Sequence, residues 1–174
     1  MTMMLARTGS IAIASALLFA GSAVAQPAKS GCTSAETAQG TQTLKCEAAI
    51  TIVAESGARF ELRDRNRDGQ VDSVELSNKA LLLEVPKKKV RARFEVLTPQ
   101  AIAAVRGTKW AVDAESGKTS VFVVDGRVSV ARPAGRGRVV LGPGEGVDVE
   151  TSGELVVKRW GAPRVAALMA RLGQ

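Results

Sequence analysis

The chain has 174 residues, 45% of them hydrophobic, and carries 24 Lys and Arg against 17 Asp and Glu for a net charge of +7. It has no His, no Tyr and two Cys, which excludes Ser-His-Asp and Cys-His catalysis, His-ligated metal or haem, and a His general base. With 3% aromatic residues and no basic recognition helix, the positive charge does not read as nucleic-acid binding; it reads as solubility, or as attraction to an acidic protein or anionic surface.

Residues 1–25 have the form of a secretory signal peptide. Arg7 gives a positive start, residues 11–19 (IAIASALLF) are apolar, and Ala23-Val24-Ala25 supplies an A-x-A cleavage site before Gln26. The apolar run, residues 11–25, falls short of the ~20 residues that span a bilayer. The expected product is a periplasmic chain starting at Gln26, with no transmembrane segment.

Export sets the reading of the cysteines. Cys32 and Cys46 are an even pair in an oxidising compartment, which favours a disulfide closing the polar segment between them. Two reduced thiols are the alternative, although the spacing is not the C-x-x-C of a thiol oxidoreductase. Residues 26–47 are therefore expected to be a disulfide-closed N-terminal segment outside the main domain.

The body reads as short strands. Residues 59–63 (RFELR) and 90–97 (VRARFEVL) alternate with period two, and 80–85 (ALLLEV) is apolar enough for burial on both faces. Between them, residues 64–75 (DRNRDGQVDSVE) fit the calcium-loop pattern D-x-[DN]-x-[DN]-G-x5-E. Asp64, Asn66, Asp68, Gln70, Asp72 and Glu75 would be the ligands of an EF-hand-like Ca2+ site. The other reading is a plain hairpin turn, since Asp and Asn form turns readily and the flanking segments are not helical. Pro86-Lys87-Lys88-Lys89 reads as a solvated hairpin tip, or as a contact for an anionic envelope component.

Residues 119–131 read as a valine-rich hairpin around Asp125-Gly126. Residues 138–141 and 147–149 flank a turn, Gly142-Pro143-Gly144-Glu145, and 155–157 are expected to add an edge strand. One helix is expected near the end: Pro163 suits a first turn, and Val165, Leu168, Met169 and Leu172 form an apolar stripe. It would cover an open end of the sheet. Many short strands at regular spacing point to an all-β sandwich or barrel.

Three segments in order, FEVLTPQAIAAVRGTKWAV (94–112), KTSVFVVDGRVSV (118–130) and VVLGPGEGVDV (139–149), resemble the signatures of the FecR-like domain family. The residues that carry the resemblance are Thr98-Pro99, Arg106, Gly107, Thr108, Trp110, Gly126, Gly144 and Glu145, with a pairing of Arg106 and Glu145 as one candidate contact. The resemblance implies an all-β, jelly-roll-like sandwich of short antiparallel strands in the bacterial periplasm, here with a short C-terminal α-helix. Founding members of the family pass an iron-siderophore signal to a sigma factor through a membrane helix and a cytoplasmic segment. In this chain only a short stretch precedes an apolar segment that looks cleavable, so the expectation is a stand-alone secreted domain.

The expected layout is a signal peptide (1–25), the disulfide-closed segment (26–47), the FecR-like β domain (48–158) and the C-terminal helix (159–174). The expected role is a non-catalytic binding module for an envelope protein or anionic envelope component, in envelope signalling, with no catalytic residues and no nucleic-acid partner. The alternatives are a calcium-stabilised structural envelope protein and a carboxylate-based hydrolase. The latter would need a catalytic pair of acidic residues, for which no motif is present.

Overall fold

The computed structural model describes residues 31–87, 93–135 and 137–174. The signal-peptide reading, the start at Gln26 and the front of the strand expected over 90–97 lie outside the described residues. In chain order the strands are β1 (Cys32–Glu36), β2 (Gln42–Cys46), β3 (Thr51–Ala54), β4 (Arg59–Arg63), β5 (Ser73–Val85), β6 (Phe94–Leu97) and β7 (Ile102–Val105). They continue as β8 (Thr108–Glu115), β9 (Lys118–Asp125), β10 (Val128–Ala131), β11 (Arg138–Leu141), β12 (Glu145–Glu150) and β13 (Lys158–Arg159), and one helix, α1 (Ala162–Arg171), follows. The class is all-β with a short C-terminal helix.

The strands form two sheets that share β5. The first runs β1-β2-β3-β5-β8-β9-β12-β13 and the second β4-β5-β6-β7-β10-β11. Two features depart from a sandwich of short antiparallel strands: β5 has 13 residues, and it pairs with β6 in parallel. The parallel pair follows from the route of the chain, which leaves β5 at Val85 in the first sheet and returns beside Ser73 in the second.

The alternation of β5 shows how one strand serves both sheets. Val74 and Leu76 face the main core, and so do Leu81, Leu83 and Val85, whereas Ala80 and Leu82 face the opposite side. Strict period two would turn the second half outward. The register shifts opposite Arg59 and Phe60, and Lys79 takes a positive φ of 62°; this bulge inverts the parity and keeps the core face continuous.

The sheets pack face to face. Phe94 of β6 meets Trp110 of β8 edge-on, with ring centroids 6.2 Å apart, and both are fully buried. Each buried Val, Leu or Phe in this layer contributes about 1.5–3 kcal/mol. The outer face of the first sheet carries a second apolar cluster of Ala80, Leu82, Ala111, Phe122 and Trp160, and α1 covers it with Leu168 and Leu172. The expected stripe is thus the buried one, but the helix covers a sheet face rather than an open end.

The N-terminal cysteines belong to the same body. Cys32 and Cys46 are bonded to each other and lie directly opposite on β1 and β2. Both are buried with Leu44 in the main core, and β2 pairs with β3, so the segment expected to stand apart is the end of the first sheet. Residues 155–157 are not a strand. Leu155 and Val157 instead pack partly buried against the core, and the short β13 follows them.

Candidate functional site

Three connections between the sheets lie side by side at one end of the sandwich. The chain passes from β7 to β8 at Arg106-Gly107, from β9 to β10 at Gly126-Arg127, and from β11 to β12 through residues 142–144. The register proves the alignment. Val105, Val128 and Leu141 are level in the second sheet; Lys109 and Asp125 are level in the first, with Gly146 opposite Phe122 close by.

The hairpin expected over 119–131 therefore does not form. β9 pairs with β8 and β12, and β10 with β7 and β11. Asp125-Gly126 is a corner that carries the chain from one sheet to the other. A valine alternation on either side of Asp-Gly looks the same for a corner and for a hairpin, which is why the sequence misleads here. Pro86 and Lys87 likewise begin a crossover from β5 to β6, not a hairpin tip; residues 88–92 lie outside the described set.

Each corner holds a glycine with positive φ: 68° at Gly107, 89° at Gly126 and 78° at Gly144. Space adds to the requirement at the first two. A Cβ on Gly107 would lie 2.6 Å from the Lys87 α-carbon, and one on Gly126 would lie 2.9 Å from the Gly107 carbonyl oxygen. Thr108 Oγ1 donates to the Arg127 carbonyl at 3.0 Å. Gly144 N–H donates to the Val123 carbonyl at 2.9 Å, and its own carbonyl accepts from Trp160 N–H at 3.1 Å.

The structure thus brings Gly107, Thr108, Gly126 and Gly144 into one stack, while Trp110 runs inward from the first corner to the core. Its buried Nε1 meets no acceptor among the described residues. Glu145 and Arg106 do not pair. Glu145 Oε2 accepts from Gly142 N–H at 2.7 Å and closes its own turn, and Arg106 is exposed. At the opposite end, Thr98 Oγ1 caps the turn to Ala101 and lies 2.8 Å from Thr119 Oγ1, tying the two sheets together.

A second set of polar residues joins α1 to the sheet, and the sequence reading missed it. Arg164 lies 3.5 Å above the Trp160 ring centroid, and Trp160 stacks on Phe122 with centroids 5.1 Å apart. Arg164 also forks onto Asp148, which accepts from Ser120 Oγ at 2.7 Å. Partial burial pushes Asp148 up, but the hydrogen bonds from Arg164 and Ser120 outweigh it and hold the carboxyl below the usual carboxylate range. At the C-terminal end of the helix, Arg171 bridges Asp113 at 2.7 Å and Glu55 at 2.6 Å, and these bonds raise its pKa.

A cavity of about 330 Å³ lies between the two clasps, lined by Ser120, Asp148, Arg164 and Arg171 among others. The signal was present in the sequence: Asp113 and Asp148 interrupt valine-rich strands on outward positions, and Arg164 and Arg171 are seven residues apart on one helix side. The carboxylates Glu55 and Asp113 converge on one guanidinium rather than forming an acid–base pair.

Residues 64–72 are the connection of the β4–β5 hairpin, and residues 73–75 already lie in β5. Asp64 accepts from Asp68 N–H and Gly69 N–H at 3.2 and 2.8 Å, and Asp68 from Gln70 N–H at 2.9 Å. Asn66 donates to Asp68 at 3.0 Å. Asp72 turns to Arg65 and Ser73, and Glu75 to Arg63 at 3.0 Å. Hydrogen bonds thus join Asp64, Asn66 and Asp68 at the head of the loop, while Asp72 and Glu75 turn to arginines. Among the described residues no three acidic or Cys side chains form a group fit for a metal ion. Val71 is buried in the main core.

No curated protein gives a significant match to the chain. Two crystal structures of a candidate anti-sigma factor from Parabacteroides distasonis ATCC 8503, at 2.50 and 1.65 Å resolution, are similar in fold, with TM-scores of 0.61 and 0.60 and identities of 23% and 22%. Each alignment covers 79% of this chain and 64% of the solved one, so the chain spans less than two thirds of their length. The FecR protein family matches residues 33–129. That stretch begins inside the disulfide-closed hairpin and takes in the corners at Gly107 and Gly126. By a match over more than half its length, reaching from β1 into β10, the chain belongs to the FecR family.

Proposed function

We propose that the protein is a non-catalytic binding module of the bacterial cell envelope, exported to the periplasm and acting through protein contacts in envelope signalling. The observation that carries this reading is the FecR domain over residues 33–129. The solved neighbours, described as a candidate anti-sigma factor, support a role in signalling. Residues 1–25 support export, and so does the bonded pair Cys32–Cys46, because such bonds persist in oxidising compartments. Among the described residues no helix is long and apolar enough to cross a membrane.

Gly107, Thr108, Gly126, Gly144 and Glu145 bond to backbone or fit tight backbone turns, whereas Arg106 is exposed.

The test is crosslinking in living cells. The protein would be recovered, its N-terminus determined and the crosslinked partner identified, and the pair then reconstituted from purified components. The expected result is a chain beginning at Gln26 and one envelope protein that binds the purified domain directly. A full-length chain retained in the cytoplasm with free thiols, or recovery without any partner, contradicts the reading.

A further inference from the structure

Along the sides of the molecule several cations come with carboxylates: Arg63 with Glu75, Arg65 with Asp72 and Glu95, Lys118 with Glu115, and the two helix clasps. The corner end differs. Lys87, Arg93, Arg106, Arg127 and Arg159 are all exposed there, and among the described residues none has a carboxylate within 4.0 Å.

Register and contacts place all five. Lys87 lies on Gly107 and Arg159 on Gly144; Arg93 directly precedes Phe94, which is level with Val105; Arg106 and Arg127 sit in the corners themselves. The acids nearby offset little. Glu84 faces Lys109 at 3.7 Å, Glu145 is committed to its own turn, and Asp125 alone is exposed in a corner. The other unpaired cations are dispersed, as with Lys45 on β2, Arg59 on β4 and Arg138 on β11.

The shape of this end selects the kind of partner. Peptides commonly dock along a strand edge or in a groove. Here the ends of strands face outward, so there is no free backbone ladder to extend. What the end offers is an array of long cationic side chains on corners made rigid by glycine and by the Thr108–Arg127 hydrogen bond. Four of the five are Arg, and the guanidinium fork suits phosphate oxygens. Exposed Val124 and Pro143 stand beside the array.

We propose that this end is a docking face for the phosphate headgroups of an anionic membrane surface, held through Lys87, Arg93, Arg106, Arg127 and Arg159. The face would hold the domain at the bilayer surface. It goes beyond the protein-contact reading and stands without it, since a vesicle contains no protein.

Flotation of the exported protein with vesicles tests it. Vesicles of phosphatidylcholine with phosphatidylglycerol are compared with phosphatidylcholine alone. The expected result is binding to the first only, weakened at least ~10-fold as salt rises toward ~0.5 M. The triple variant Arg106→Glu, Arg127→Glu, Arg159→Glu should lose binding with an unchanged circular dichroism spectrum. The variant Lys45→Glu, Arg59→Glu, Arg138→Glu, equal in net charge, should bind like the wild type. Failure to float with phosphatidylglycerol, equal loss in both variants, or binding to soluble polyglutamate but not to vesicles would overturn the proposal; the last outcome would assign the face to an acidic protein.

Discussion

The hydroxyl of Thr108 donates to the carbonyl of Arg127 at 3.0 Å, fastening the first sheet-to-sheet corner to the second. The two residues lie 19 positions apart and belong to different family signatures. Glycine admits the backbone geometry of each corner, and threonine locks neighbouring corners. The same end then presents Arg106 and Arg127 to solvent.

Breaking the disulfide should loosen the edge of the first sheet before the rest. Closure of a loop of this length, with a sequence separation of 14, stabilises by about 3 kcal/mol in the chain-entropy model. On reduction, hydrogen exchange should speed up in β1 and β2 while β8 and β9 stay protected. Uniform loss across all strands would show that the hairpin is integral to the whole core.

The clasp at Asp148 should vanish in acid. Its carboxyl is held below the usual range, so the stability it adds is fully present above the unfolded value, ~3.9, and is lost as pH falls through the lower folded value. The gap in melting temperature between wild type and Asp148→Asn should therefore hold steady from about pH 7 to ~5 and shrink below ~4. A gap that widens in acid would reverse the assignment.

Gly146 is required for space rather than for φ. A Cβ there would lie 2.3 Å from Trp160 Nε1 and 2.8 Å from the Val121 carbonyl oxygen. Gly146→Ala should cost on the order of 1–3 kcal/mol and shift the emission of Trp160 to the red as it leaves Phe122 and Arg164. Trp110, fully buried, serves as the unperturbed second fluorophore. An unchanged spectrum and unchanged stability would contradict the packing described.

Calcium should leave the melting temperature unmoved. Asp72 and Glu75 face Arg65 and Arg63 instead of the head of the loop. Adding calcium to chelator-treated protein, up to ~5 mM, should shift the midpoint by less than ~1 °C. A clear rise would mean that both carboxylates leave their arginines and converge with Asp64.

The elements legible in the sequence were those with local signals. The alternation of Phe60 and Leu62, the apolar run into Val85, and the stripe of Leu168 and Leu172 all find their places. The connections were not legible, because strand pairing is non-local and a turn residue such as Gly126 serves a corner as well as a hairpin. The parity change at Lys79 also left no mark, since a polar residue in a strand is ordinary. For the candidate site, the family residues were identified but their roles came only from register. The arginine clasps of α1 needed the knowledge that its polar flank meets Asp113 and Asp148.

Adjacent residues in one corner separate architecture from surface, and their melting temperatures are the most direct test of the division drawn between them. Gly126 has a positive φ of 89° and no room for a Cβ, whereas Arg127 is exposed and uses only its backbone carbonyl to hold Thr108. Gly126→Ala should lose about 1–3 kcal/mol, and Arg127→Glu should stay within ~0.5 kcal/mol of the wild type. Equal losses, or a larger loss for Arg127→Glu, would contradict the claim that the signature glycines build the end of the sandwich while the charges beside them face its partner.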